Sequence, residues 1–370
     1  MPAVGQNGAV IELSSILEDL EMLVNTESPS NELEMLARSA DVLASVIRRR
    51  LGSAAHIVPS AAGPHVHWSG GGTPIVLIVG HHDTVFPAGT VSARPFALTD
   101  GTATGPGVFD MKAGIVLAIH AVASLADNTG VELLFTSDEE VGSGASRALI
   151  EERAIQCGRV LVCEPSADGG ALKTSRKGTG TFDVLVHGRA SHAGLEPEKG
   201  VNSLVAAAEV ITTLIGFADP AKGTTVTPTM ARSGTADNVV PALTRVTVDV
   251  RVEQPGEKER LESLFAGLAT TVPGARIELA GGLNRPPMPS SASAELFPLA
   301  VAVALAAGLA DVSGVGVGGG SDGNFTAARG VPTLDGLGAV GGGAHADHEH
   351  VIIDQLVPRA RLLAAILAAL

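Results

Sequence analysis

Residues 73–85, TPIVLIVGHHDTV, decide how this chain reads. From Ile75 to Val79 the run is unbroken, aliphatic and mostly β-branched, as a strand buried on both faces requires, and Gly80 closes it. Two imidazoles and a carboxylate follow at once: His81, His82 and Asp83. In open α/β sheets, ligands bind just beyond the carboxyl ends of the strands. The stretch therefore indicates both a fold and a place to look for chemistry. Two more runs, VELLFTS (131–137) and RVLVCE (159–164), have the same form and run into Asp138, Glu139, Glu140 and Glu164. Helical spacing over 111–126 and 143–155 lies between them. Strands alternating with helices predict a mixed, mostly parallel sheet flanked by helices.

Upstream, residues 11–24 and 32–51 show helical spacing on either side of the breaker TESPSN, where Ser30 or Asn31 is placed to cap the second helix. Downstream, the style changes near residue 176. TGTFDVLVHG alternates as a half-buried strand does, 200–217 reads as an amphipathic helix, and TTVTPTMAR and LTRVTVDVRV are two more alternating strands. A helix in GEKERLESLFAGLAT and a strand in ARIELAG complete a β-α-β-β-α-β order, the split pattern of a ferredoxin-like α+β unit. After NRPPMPSS, a helix over 293–309, a glycine-rich stretch over 313–323 and the segment HADHEHV return to the first style. The expected organisation is a catalytic domain in two parts, 1–176 and 285–370, with an inserted lid or dimerisation domain at 177–284.

Composition narrows the function classes. The 370 residues are 45% hydrophobic and 17% charged, with a net charge of -14, which fits a packed globular chain and argues against nucleic acid or an anionic membrane surface as partner. Cys157 and Cys163 are too few for a disulfide framework, and the N-terminal stretch lacks a basic segment followed by an apolar run, so the chain reads as cytoplasmic. The longest apolar runs, such as Leu299 to Ala310, are too short to span a bilayer.

Four acidic segments sit beside apolar strands or open a helix: GHHDTV, GPGVFDMKAG, TSDEEVGS and CEPS. A His-rich loop at 345–350 joins them. Imidazole and carboxylate together suit Zn, Mn or Co, and one carboxylate can bridge two ions. Two ions bring the pKa of a shared water towards ~7, and a carboxylate off the metals then moves the proton. Glu139 and Glu140 are adjacent and can divide those tasks, although acids at a helix N-terminus explain their charge equally. His345, His348 and His350 are each able to ligate. His65 and His67 read as a strand-edge pair, and His82 as packed or solvated.

The chain resembles the di-zinc metallopeptidases, the family of glutamate carboxypeptidases, aminoacylases, acetylornithine deacetylases and succinyl-diaminopimelate desuccinylases. The resemblance rests on GHHDTV, GPGVFDMKAG, TSDEEVGS, CEPS, GRASHAGLEPEKGVNS, DNVVPA with VDVR, and AHADHEHV in that order, and runs from about residue 20 to the end. It is nearest to the bacterial glutamate carboxypeptidases. It implies two divalent ions, zinc first and cobalt or manganese next. One would be held by His81, Asp110 and Glu164, the other by Asp110, Glu140 and His345. It further implies that Asp83 orients His81, that the peptide after Asp110 is cis, and that Glu139 is the general base for metal-bound hydroxide. His192 would reach a partner subunit's site to stabilise the oxyanion, and Asn238 and Arg285 would hold the substrate. Arg251 stays open between a substrate contact and a structural ion pair, and the basic patch of Lys173, Arg176 and Lys177 between attracting an acidic substrate and being a solvated hinge. The activity expected is cleavage of an amide bond next to a free carboxylate in a short peptide or N-acyl amino acid, by a homodimer joined through the inserted domain. A glutamate carboxypeptidase-like exopeptidase comes first, an N-acyl-amino-acid amidohydrolase second, and a non-catalytic metal-binding relative last. With aromatics at 3% and no Tyr, a pocket built to stack a large pteridine ring is disfavoured.

Overall fold

The computed structural model describes residues 10–254 and 256–370. They fall into two compact units. The first comprises the described residues up to Ser175 with Ser290–Val317 and Ser321–Leu370; the second comprises Arg176–Pro289 with Gly318–Gly320.

In the first unit, the strand Val76–His81 is buried along its whole length. It pairs in parallel with Val131–Thr136 on one side and Val160–Val162 on the other. Thr333–Leu334 extends the parallel run beyond Val160–Val162. His65–Ser69 and His56–Val58 add an antiparallel flank, which makes the sheet six-stranded and mixed. Successive side chains of a strand point to opposite faces, and this strand uses both. Val76 and Ile78 enter a core shared with the helices Leu13–Val24, Leu33–Leu51, Ala113–Ala123 and Ile353–Ala368, whereas Leu77 and Val79 enter one shared with Arg147–Cys157. Each such side chain contributes roughly 1.5–3 kcal/mol by leaving water, which is why an apolar residue is needed at every position.

Close packing sets where the strand ends lie. A side chain on Gly114 would put its Cβ 1.9 Å from the carbonyl oxygen of Cys163. The helix Ala113–Ala123 can therefore sit against the chain leading into Glu164 only because residue 114 is glycine. The helices are tied by a buried carboxylate: Asp19 accepts hydrogen bonds from His120 Nε2 and Arg50 Nε, both at 2.7 Å, and from Arg49.

The second unit carries a four-stranded antiparallel sheet in the order Thr225–Ser233, Leu243–Val252, Gly178–His187, Arg276–Arg285. The helices Ser203–Ile215 and Glu257–Ala266 pack on it around Val184, Val186, Val246, Val248, Phe182 and Phe265. This is the ferredoxin-like connectivity. Asn202 starts the first of these helices by accepting from the N–H groups of Leu204 and Val205.

Three sequence expectations change. Neither Ser30 nor Asn31 caps the helix Leu33–Leu51, whose N-cap is Glu32 without a side-chain bond. The Ser30 hydroxyl is instead donated to Asp83 at 2.7 Å. His65 and His67 lie on the second strand of the sheet, not at its edge. They turn inward because Ser137 N–H and Glu132 offer them partners at 3.2 and 3.0 Å. The helix expected from residue 143 begins at Arg147, because Ser143 and its neighbours form a turn around Asp138. Among the described residues no helix is long and apolar enough to cross a membrane.

Replacing Asp19 by Ala should lower the unfolding free energy at pH 7 by about 3 kcal/mol, since it leaves buried donors unmatched. Burial alone would raise the Asp19 pKa, but His120, Arg50 and Arg49 hold it far below the usual carboxylate range. With the folded pKa below the unfolded one, this contribution is present above about pH 4 and fades as pH falls further. Urea unfolding of wild type and Asp19→Ala at pH 7 and pH 3 checks both the size and the sign.

Candidate metal centre

Five strand-end and loop segments of the first unit bring their acids and imidazoles to one place. His81 ends the strand Val76–His81, and Glu164 stands two residues past Val160–Val162. Glu139 and Glu140 begin the turn Glu139–Val141 after Val131–Thr136. Asp110 lies in the irregular turn Val108–Lys112, and His345 in the loop between Gly341–Gly342 and His350–Ile352. The Asp110–Met111 peptide is cis.

Two donor groups result, His81 with Asp110 and Glu164, and Asp110 with Glu140 and His345; within each, the donor atoms lie within 4.8 Å of one another. Asp110 belongs to both. Its Oδ1 is 3.2 Å from His81 Nε2 and its Oδ2 is 3.4 Å from His345 Nε2. The outer carboxylates complete the pattern, Glu164 Oε1 at 3.5 Å from His81 Nε2 and Glu140 Oε1 at 3.2 Å from His345 Nε2.

The electrostatics show what this arrangement asks for. Burial pushes the Glu140 carboxyl up. It pushes the same way at Asp110, but hydrogen bonds from His345 and His81 outweigh it and hold Asp110 well below the usual carboxylate range. The Asp110 and Glu140 carboxylates beside it push His345 up to about 10. At His81 burial opposes protonation, yet Asp110, Asp83 and Glu164 together raise its pKa. Converging carboxylates thus draw positive charge into the gap, as protons on the two rings or as cations between the groups. The residues fit the cations: Glu140 Oε1 is buried without a hydrogen bond of proper geometry, and the donors are the imidazole and carboxylate mixture that Zn, Mn and Co take.

Asp83 touches more than His81. His81 Nδ1 is 3.0 Å from the Asp83 carbonyl and 3.4 Å from its carboxylate. That carboxylate also accepts the N–H groups of Glu139 and Glu140, each at 3.2 Å, and so joins the two strand-end turns. Glu139 is in neither donor group. Asp138 answers the helix-terminus reading of the acid run: it accepts from the N–H groups of Ala145 and Ser146 just before Arg147–Cys157. His82 is turned away, bonded to Ser39 and the Pro64 carbonyl, and burial pushes its pKa down to about 4. Of the three histidines in the C-terminal loop, only His345 joins a donor group among the described residues.

The remaining residues of interest belong to the second unit. His192 is exposed; its Nδ1 accepts from the N–H groups of Gly194 and Leu195, and Asn238 is its neighbour through the bond from Ala193 N–H to the Asn238 carbonyl at 2.8 Å. Arg285 ends the strand Arg276–Arg285 and is buried. Arg251 takes the structural option, a two-point pair with Asp249 at 2.7 and 2.9 Å. Arg176 is no solvated patch: it is buried and donates to the carbonyls of Gly319 and Gly320. Sequence reading gave no role to Glu349, which accepts three backbone N–H groups of the Asp110 turn, or to Ser30 on Asp83. These are contacts between distant segments, and no local spacing announces them.

The chain is similar to known proteins over most of its length. Residues 77–369 match the model of peptidase family M20/M25/M40. Carboxypeptidase G2 of Pseudomonas sp. (strain RS-16) is 30% identical over 96% of this chain and 89% of its own length. The succinyl-diaminopimelate desuccinylase of Wolinella succinogenes is 28% identical over 77% of this chain and 82% of its own. Among solved structures, an M20-family metallo-carboxypeptidase of Sulfolobus solfataricus superposes with a TM-score of 0.78 at 17% identity, covering 96% of this chain and 99% of that one. The chain belongs to peptidase family M20/M25/M40 and is a metal-dependent hydrolase of peptide or amide bonds.

Proposed function

We propose that the chain is a two-metal exopeptidase that releases a C-terminal amino acid, glutamate first, from a short peptide or N-acyl amino acid. The observation that carries the reading is Asp110, with a different imidazole against each of its carboxylate oxygens. His81, Asp110 and Glu164 would hold one ion, and Asp110, Glu140 and His345 the other. Zinc is the first choice for both. Bound there, the ions would polarise the scissile carbonyl and lower the pKa of the attacking water. Glu139 is the general base: it takes the proton from that water and returns it to the leaving amine. Its place beside the donor groups, with its N–H tied to Asp83, supports this role.

His192 is the proposed donor to the developing oxyanion. Asn238 and Arg285 are the proposed holders of the substrate carboxylate, a task suited to the planar guanidinium fork. Their support is motif register, together with the pairing of the His192 and Asn238 loops in the second unit. We assign the inserted unit, about residues 177–284, to dimerisation. Its strand Thr225–Ser233 is an edge, and Leu204, Val205 and Ile215 are exposed on the neighbouring helix. A cytoplasmic location completes the reading. The second reading, an N-acyl-amino-acid amidohydrolase, is favoured by the match to the desuccinylase.

Metal-loaded protein should hydrolyse N-acyl-glutamate faster than N-acetyl-ornithine or unrelated dipeptides. Turnover of N-acetyl-ornithine or succinyl-diaminopimelate alone would give the case to the amidohydrolase. Replacing Glu139 by Gln should leave two equivalents of metal bound while kcat drops by about 10²–10⁴-fold; unchanged turnover would remove Glu139 from its role. A chelator should abolish activity and added zinc or cobalt restore it, whereas activity in metal-free protein would count against the whole scheme.

A further inference from the structure

Two of the five donor residues come from strand ends, where ladder bonds and packing already fix them. His81 is part of the sheet, paired across to Thr136, and Glu164 stands two residues past Val160–Val162. Asp110 and His345 have no such support. Asp110 follows Gly105 and Gly107, at φ 144° and 72°, and His345 itself takes a left-handed φ of 63°. A loop ligand must be held by something else if it is to keep its geometry without metal.

Glu349 reaches both loops. Its side chain is buried, and its carboxylate accepts three backbone N–H groups from the turn that delivers Asp110: Gly107 at 2.8 Å on Oε2, and Phe109 at 2.9 Å and Asp110 at 2.8 Å on Oε1. Its own N–H closes the His345 loop by donating to the Ala346 carbonyl at 3.1 Å. All three partners of the carboxylate are donors, so an acceptor is required at both oxygens. A carboxylate meets that demand. An amide does not, because its NH2 would face an N–H. The three bonds offset only part of the cost of burying the carboxyl, whose pKa burial pushes up to about 7, but they hold the turn from one point.

We propose that Glu349 is the positioning residue of the second metal site, setting the Asp110 turn and the His345 loop in register before any ion binds. It touches neither substrate nor ion; it acts through the backbone of Asp110 and the loop of His345. The proposal rests on the two-metal reading above. Removing Glu349 should weaken the ion held by Asp110, Glu140 and His345 more than the ion held by His81, Asp110 and Glu164, since the latter keeps two strand-anchored ligands.

Calorimetric titration of metal-free protein with zinc tests this without reference to activity. Wild type should take up two equivalents. Glu349→Gln should bind one equivalent with little change and the other about ten- to hundredfold more weakly. If both equivalents keep their wild-type constants, or both weaken by one factor alongside a lower melting temperature, Glu349 is only structural and the proposal fails. Wild type that takes up fewer than two equivalents would remove the two-metal reading, and the proposal with it. A measurement on metal-free wild type covers the case of a variant that does not fold. The amides of Gly107, Phe109 and Asp110 should exchange with solvent at least about a hundredfold more slowly than in a short peptide. Rapid exchange at these three amides would overturn the proposal.

Discussion

Carboxylates that converge on two imidazoles inside a protein cannot all stay ionised unless positive charge lies among them. Asp110 and Glu140 face this constraint, and the structure around them follows from it. Asp110 is the most constrained, since each of its oxygens has an imidazole against it. The neighbouring chain meets its requirements in two ways. Rigid strand ends deliver His81 and Glu164, and long-range hydrogen bonds hold the turns that deliver the others.

The sheet exists in the form it does because it has to present those ends. Val76–Val79 sends alternate side chains into two separate cores, so a shift by one residue would send each set into the core packed for the other. Glycine at 114 lets a helix press against the Cys163 carbonyl, next to Glu164. Asp83 then links the His81 turn to the Glu139 turn, and Asp138 starts the helix that follows. Backbone N–H groups occupy Asp83 and Asp138, which separates these acids from Asp110, Glu140 and Glu164, which face the gap. The burial of the sheet supplies the rigidity, and the polar links between its ends convert that rigidity into a defined donor geometry.

Much of this was legible in the chain itself. Unbroken β-branched runs announced the central strands, and alternation announced the antiparallel sheet of the second unit, because each period follows from which faces are covered. The acids and imidazoles were visible because they come directly after those runs. What stayed hidden depends on partners far away in sequence. Ser30 looked like a helix cap by type and position, yet its hydroxyl goes to Asp83, 53 residues on. His65 and His67 looked like an edge pair because nothing local shows that another strand, His56–Val58, lies outside them. Glu349 lies 239 residues from Asp110, and three hydrogen bonds to backbone N–H groups leave no trace in residue types. Helix ends were displaced by a few residues for a related reason: turns built on side-chain bonds, such as the one on Asp138, override local spacing.

The role proposed for Asp110 is to serve both metal sites. Anomalous diffraction at the zinc edge from crystals of the zinc-loaded protein tests it most directly. The account predicts two peaks per chain, ~3.5–4 Å apart, one beside His81 and Glu164 and one beside Glu140 and His345, with an oxygen of Asp110 on each. A single peak, or peaks away from Asp110, would contradict it.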